Sequence, residues 1–306
     1  MKRVIPFLFF LLPFSLQFSN AQMYANRNSI MNPFADTVAQ SGFMPSFHYS
    51  HEFAKGFGSA GGEQAWNGRS VGFIEFYRWE SGWSFGGMLA AEAGLNDSND
   101  IGFNPRSVRW MEELAVFKKQ ELFTWKLGVQ HQCKHDVDNS DGASGDTPIA
   151  NSTKRVTILS GLNAEIFSNQ VSFGSDFVSR AVLRTDYYFS AKDYRFPKTT
   201  EKGSFMDAYG AVLLKAKIIY KGFSPLEIHA DGWFGSAFLK ENTEQIAAVS
   251  MENAYRFEMG VSGRGRAGAL TVFGAFEHYF DDFALPVPQQ SDVFYIGLRG
   301  SSSIFF

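Results

Sequence analysis

The chain of 306 residues contains a single cysteine, Cys133. One thiol excludes an intrachain disulfide, a cysteine-based zinc cluster and a CxxC redox pair. Charge is also scarce: Asp, Glu, Lys and Arg make up 19% of the residues, too few for a disordered or coiled-coil chain. Neither sign dominates, with 28 basic against 31 acidic side chains and a formal net charge of -3. So mild a balance offers no electrostatic footprint for a nucleic acid. Beyond residue 21 every apolar run is broken within a few residues by Gly, Ser or a charge. A membrane-crossing helix needs roughly 20 consecutive apolar residues, so none is encoded there. What the chain has instead is aromatic surface: 33 Phe, 11 Tyr and 6 Trp, accompanied by 29 Gly.

The N-terminus reads as an address. Lys2 and Arg3 precede the apolar stretch from Val4 to Leu16, and Ser19-Asn20-Ala21 then places small residues one and three positions before a cut ahead of Gln22. That is the pattern of a secretory signal peptide over residues 1–21, and its removal leaves a body of charge -5. No cysteine follows the cut, so a lipid-modified N-terminus is not expected. An exported chain without a transmembrane helix is either soluble or a β-barrel, because only closed barrels cross lipid without long apolar runs.

Alternation favours the barrel. Phe123, Trp125, Leu127 and Val129 alternate with Thr124, Lys126, Gly128 and Gln130, and Phe294, Ile296 and Leu298 alternate with Tyr295, Gly297 and Arg299. Similar patterns place one apolar and one polar face on each of twelve strands. They fall near 42–54, 69–80, 83–95, 107–118, 121–133, 154–168, 170–187, 204–221, 225–240, 251–263, 269–281 and 292–305. Tight joints (Glu80-Ser81-Gly82, Lys119-Gln120, Asn169, Gly222-Phe223-Ser224 and Gly265 to Gly268) alternate with longer ones without a slip. The expected fold is therefore all-β: a single antiparallel transmembrane barrel over 42–306, with short periplasmic turns and long extracellular loops, preceded by a periplasmic segment at 22–41. A secreted sandwich or lipocalin-like barrel is the soluble alternative. Against it, Trp79, Trp83 and Trp125 lie near short turns and Trp66 and Trp110 towards the long loops, as two aromatic girdles require. The chain ends in Phe306 with Ile304 and Leu298 on one strand face, which resembles the C-terminal assembly signal of bacterial outer-membrane barrels, although Gly300 and Ser302 stand where bulkier residues are usual. The resemblance implies residence in the outer membrane and recognition of Phe306 by the barrel-assembly machinery.

With the apolar face to lipid, the lumen receives Lys126, Glu165, Asp176, Arg180, Arg184, Lys215, Lys217, Glu227, His229, Asp231, Arg256, Glu258, Glu277 and Arg299. Charges of opposite sign on neighbouring strands can pair across a narrow twelve-stranded interior, which predicts a plugged core rather than a wide pore. His229, between Glu227 and Asp231, reads as a satisfied lumen residue.

Three motifs bear on chemistry. Gly263-Arg264-Gly265-Arg266-Ala267-Gly268 fits GxGxxG by letter, but a strand follows where a dinucleotide site needs a helix. Asp136, Asp138, Ser140, Asp141 and Asp146 crowd one loop without the spacing of a calcium loop. The expectation is no cofactor, with loose divalent-cation binding by Asp136, Asp138 and Asp141 as the alternative. The third motif, His131-Gln132-Cys133-Lys134-His135-Asp136-Val137-Asp138, closes strand five at the long-loop end. Its register places His131 and Cys133 on the lipid side, where a polar side chain is costly unless it has a partner or sits in the interface. A base beside a thiol is also the minimal pair for nucleophilic attack on an ester.

His131-Gln132-Cys133 is similar to the His-Gln-Ser of outer-membrane phospholipase A, itself a twelve-stranded barrel. That likeness implies His131 as base and Cys133 as nucleophile, with Asn151 or Ser152 as the group that orients the base. Lys134-His135 stands where that family has Asn-Gly. The stretch also resembles an exported barrel family of unknown function bearing His-x-Ser-Ser-His-x-Gly-Asp, matched at His131, His135 and Asp138; here those residues brace the rim as a hydrogen-bonded cluster. Three readings stay open: a non-catalytic envelope protein whose loops bind surface ligands or lipopolysaccharide, an acyl hydrolase acting on outer-membrane lipids, and a narrow solute channel.

Overall fold

The computed structural model describes residues 31–35, 39–58, 65–96, 104–136, 154–196, 206–241, 249–266, 268–281 and 289–302. The signal peptide, Phe306, Asp138, Asp141, Asn151 and Ser152 lie outside these, as does the side chain of Asp136. The described chain opens with a short 3-10 turn, Pro33–Ala35, followed by strands β1 (Gly42–Gly58), β2 (Trp66–Arg78), β3 (Trp83–Asn96), β4 (Asn104–Lys119), β5 (Phe123–Asp136), β6 (Lys154–Ser168) and β7 (Val171–Phe173). It continues with β8 (Phe177–Phe196), β9 (Met206–Phe223), β10 (Leu226–Glu241), β11 (Val249–Arg264), β12 (Ala269–Asp281) and β13 (Gln289–Ser301).

Every neighbouring pair is antiparallel, and β1 pairs with β13 from Ser50↔Ser301 to Gly58↔Val293, so the sheet closes on itself. β6 and β7 both pair with β8 and form one stave, giving a barrel of twelve staves. Closure satisfies the ladder hydrogen bonds that an open edge would leave bare in lipid.

Parity then sorts the side chains. Phe257, Met259 and Leu270 face outward at 62%, 68% and 63% exposure, whereas the inward Lys126 and Arg184 are each 2% exposed. A water-soluble protein would invert those values, so the outward face is a lipid-facing one. Aromatic clusters mark both rims of the apolar band. Trp83 packs edge-on against Trp125 at 5.2 Å and Tyr77 against Trp79 at 4.7 Å near the short turns, while Phe53 stacks on Trp66 at 5.1 Å towards the long loops. Trp233, by contrast, is an inward residue and belongs to neither girdle.

One turn departs from expectation. The joint expected at Asn169 only interrupts a stave, which resumes as β7 and reverses at Gly174. Gly174 adopts φ +66°, a left-handed conformation that glycine tolerates without strain. The Asn169 amide instead donates to the carbonyls of Gln120 and Glu121, tying the stave to the neighbouring β4–β5 turn. Asp176, expected in the lumen, consequently lies in the turn.

The interior is filled by two ion clusters. In one, Lys126 bonds Glu113 and, at 2.6 Å, Glu165, while Arg184 reaches Glu165 at 2.6 Å and Asp186 at 2.8 Å. In the other, Arg299 bonds Glu52 and Glu258 at 2.6 Å each, and Arg256 bonds Glu258 at 2.8 Å and Glu277 at 3.2 Å. Phe273 lies under both guanidiniums, 5.4 Å from Arg256 and 4.7 Å from Arg299. Nearer the short turns, Glu75 is fully buried and accepts hydrogen bonds from Ser46, Arg78 and Ser84. Arg78 also donates to the carbonyls of Pro33 and Ala39 at 2.9 Å each, so the segment before β1 is strapped into the lumen mouth with Met31 buried.

Removing one member of such a cluster leaves its partners buried and uncompensated. Arg184→Ala is expected to lower barrel stability by about 3–5 kcal/mol, read from urea unfolding in lipid vesicles. A loss below about 1 kcal/mol, the range of an exposed pair, would show that the cluster is solvated.

Candidate functional site

The outward face carries few polar side chains at membrane depth, and three of them meet in one row. Glu112 of β4 pairs with His131 of β5, and His131 pairs with Ser160 of β6. All three lie in the outward parity of their strands. His131 Nδ1 is 2.9 Å from Ser160 Oγ. Directly opposed residues on antiparallel strands hold their Cβ atoms about 5 Å apart, so Glu112 occupies the next position of the row, on the side away from the serine.

Backbone geometry fixes this row. Between β6 and β8 the register runs from Gly161↔Tyr188 to Ser160↔Ser190, leaving Phe189 as an inserted residue. Such bulges re-aim side chains and occur beside functional sites. Here Phe189 points outward with 61% exposure. The bulged strand comes so close to β6 that a β-carbon at Gly161 would collide with the carbonyl oxygen of Tyr187. Glycine beside Ser160 is a requirement of the backbone approach.

The trio lines a depression of about 800 Å³ on the outer wall, which it shares with Phe47, Leu89, Leu114, Val129 and Phe189. Its walls are apolar and its polar groups cluster at one end, a surface suited to an acyl chain joined to a polar linkage. His131 stands eight residues along β5 from Phe123. At about 3.3 Å per residue and a tilt near 40°, that places it about 20 Å above the short-turn rim. An apolar band is about 25 Å tall, so the trio lies just inside its far edge, at the level of lipid ester groups.

The residues singled out by sequence fall as follows. His131 and Cys133 both face outward, two residues apart on β5. The imidazole's hydrogen-bond partner is Ser160, while half-buried Cys133 lies opposite Trp110 and Ile158 one pleat further on. His135 is also outward and meets the Trp110 ring edge-on at 6.1 Å. Ser160 and Glu112 are the residues that sequence reasoning missed. The available signal was their polarity within otherwise apolar outward positions, Leu114 and Val116 on β4 and Ile158 and Leu162 on β6.

A serine hydroxyl within hydrogen-bond reach of an imidazole is the minimum pair for nucleophilic attack on a carbonyl. The ring takes the hydroxyl proton. A metal finds less support. His229, Asp231 and Glu258 bring donor atoms within 4.8 Å of one another in the lumen. Lys217, Arg256 and Arg299 already neutralise those carboxylates, so a dication there would meet three positive neighbours. His229 instead bonds Glu258 at 3.1 Å.

No family model and no curated protein matches the chain. Among solved structures, the chain is similar to an outer-membrane channel from Pseudomonas putida F1 at 9% identity and TM-score 0.43, over 89% of this chain and 98% of that one. It is similar to the dimer of the Salmonella typhi outer membrane phospholipase with bound calcium at 10% identity and TM-score 0.40, over 87% and 93%. It is similar to the KdgM porin in complex with oligogalacturonate at 10% identity and TM-score 0.35, over 83% and 98%. Likenesses this distant carry no argument about activity.

The bulge makes its own prediction. Gly161→Ala is expected to cost about 1–3 kcal/mol by overpacking and to separate Ser160 from His131. Ring ¹⁵N chemical shifts of His131 in lipid nanodiscs should change with the lost hydrogen bond. Unchanged shifts would mean that the close approach at Gly161 does not hold the pair.

Proposed function

We propose that this protein is an outer-membrane barrel that hydrolyses acyl esters of outer-leaflet lipids at its outer wall. Ser160 is the nucleophile and His131 the general base. The observation that carries the reading is the 2.9 Å contact between His131 and Ser160 on a face given mostly to apolar side chains. A buried polar pair is expected in any barrel lumen, but a polar pair directed at acyl chains requires a compensating role.

The chemistry needs only these groups and water. Ser160 Oγ attacks the ester carbonyl while His131 accepts its proton, and the collapsing intermediate expels the alcohol, which takes that proton. Water then repeats the sequence on the acyl-serine, releasing fatty acid and restoring the hydroxyl. The depression accommodates the acyl chain, and the far edge of the apolar band presents the ester at the correct height.

A non-catalytic envelope role is the second reading, favoured by the ion clusters that fill the lumen. On either reading the barrel is closed to solutes. Planar bilayers containing the protein should show no conductance steps, and regular steps would restore the channel reading.

Fatty-acid release from mixed micelles of detergent with phospholipid, and separately with lipopolysaccharide, separates the two main readings and identifies the lipid. Ser160→Ala and His131→Ala should each reduce release by about a thousandfold or more, since members of such a pair act as a unit. Cys133→Ala should be as active as the parent. Inert parent protein on both lipids, or full activity in Ser160→Ala, would end the proposal.

A further inference from the structure

The outer wall carries a second histidine–serine pair. His51 of β1 and Ser70 of β2 are opposed in register, both face outward and both are exposed, with His51 Nδ1 3.0 Å from Ser70 Oγ. The atoms and the spacing match those of His131 and Ser160 almost identically. Strand position is similar for the two bases: His51 lies nine residues from the short-turn end of β1 at Gly42, and His131 eight residues from that of β5 at Phe123.

The two pairs share one surface. His51 and Ser70 line a depression of about 350 Å³ that abuts the larger one along Phe47, Gly72, Leu89 and Glu112. Between the pairs Gly72, Gly87 and Ala91 are small while Leu89 and Trp110 stand out from the wall, so the two depressions adjoin across β2 and β3 around these two side chains. Four interstrand spacings separate Ser70 from Ser160, about 19 Å along the wall. That exceeds the gap between adjacent esters on one glycerol, so each pair has its own acyl ester.

We propose that Ser70 is a second nucleophile, with His51 as its base, so that the outer wall contains two ester-cleaving centres. The inference rests on reading the outer wall as an esterase surface and extends it to a site that has no carboxylate in its row. The step is the same: the Ser70 Oγ–acyl bond forms, the ester C–O bond breaks, His51 passes the hydroxyl proton to the leaving alcohol, and water then releases the acid.

A fluorophosphonate probe tests both centres at once, because it reports nucleophilicity without requiring the native lipid. Attack forms the Ser Oγ–P bond and breaks P–F, and the histidine carries the proton released with fluoride. Intact-mass spectrometry of the detergent-folded full chain should show two adducts. Ser70→Ala and Ser160→Ala should each retain one adduct, and the double variant none. His51→Gln should abolish labelling at Ser70 while the rate at Ser160 stays the same, and heat-modifiable gel migration confirms that each variant is folded. Ser190, an outward serine one stave beyond Ser160, serves as the internal control and should stay unlabelled. One adduct mapped to Ser160 overturns this inference and leaves the proposed function standing. No adduct on the parent protein overturns both, and labelling of Ser190 to the same extent as Ser70 overturns the second centre by showing that exposure alone is enough.

Discussion

The constraint that governs this molecule is the absence of hydrogen-bonding solvent around its wall. A sheet edge in lipid would strand a row of amides and carbonyls at several kcal/mol each, so the sheet has to close. Closure along β1 and β13 leaves each side chain two destinations, lipid or lumen, decided by parity alone. The apolar wall, the charged interior and the few exceptions to that division all follow from it.

The interior solves its electrostatics by sharing. Glu258 accepts from Arg256, Arg299 and His229, and Glu165 from Lys126 and Arg184, so charges removed from water face opposite charges in two compact groups. Placing aromatic rings beneath the guanidiniums adds a further favourable field where water is excluded. The outer wall uses this solution sparingly, because acyl chains offer no counter-charge; His278 meets Asp292 at 2.6 Å towards the long-loop end of β12 and β13. A polar side chain there has to find its partner within the row, and both outward histidine–serine pairs do so.

Much of this was legible from the residues. Period two in segments such as Phe123 to Gln130 assigns each side chain to a face, and the alternation of short and long joints fixes the topology. The turn at Gly174 was not, because Asn169 is as good a turn former and only its amide bonds to the β4–β5 turn reveal another use. Nor was the partner of His131. Reading along the strand draws attention to the residue two places on, yet neighbours on one face of a strand stand about 6.6 Å apart, while opposed residues on adjacent strands stand about 5 Å apart. Hydrogen bonds at a barrel wall therefore run across strands, and the register that brings Ser160 beside His131 spans a long loop that no local pattern measures.

The strap at the lumen mouth has a consequence for how the sequence is free to change. Arg78 grips it through the main-chain oxygens of residues 33 and 39, groups that every amino acid supplies alike. Recognition of the main chain is thus written in the receiving arginine, and the held ribbon adds the bulk of Met31 and the Phe34 ring, 5.2 Å from the guanidinium. The identity of most residues in that ribbon is left unconstrained by the grip itself, whereas the arginine that provides it has no substitute.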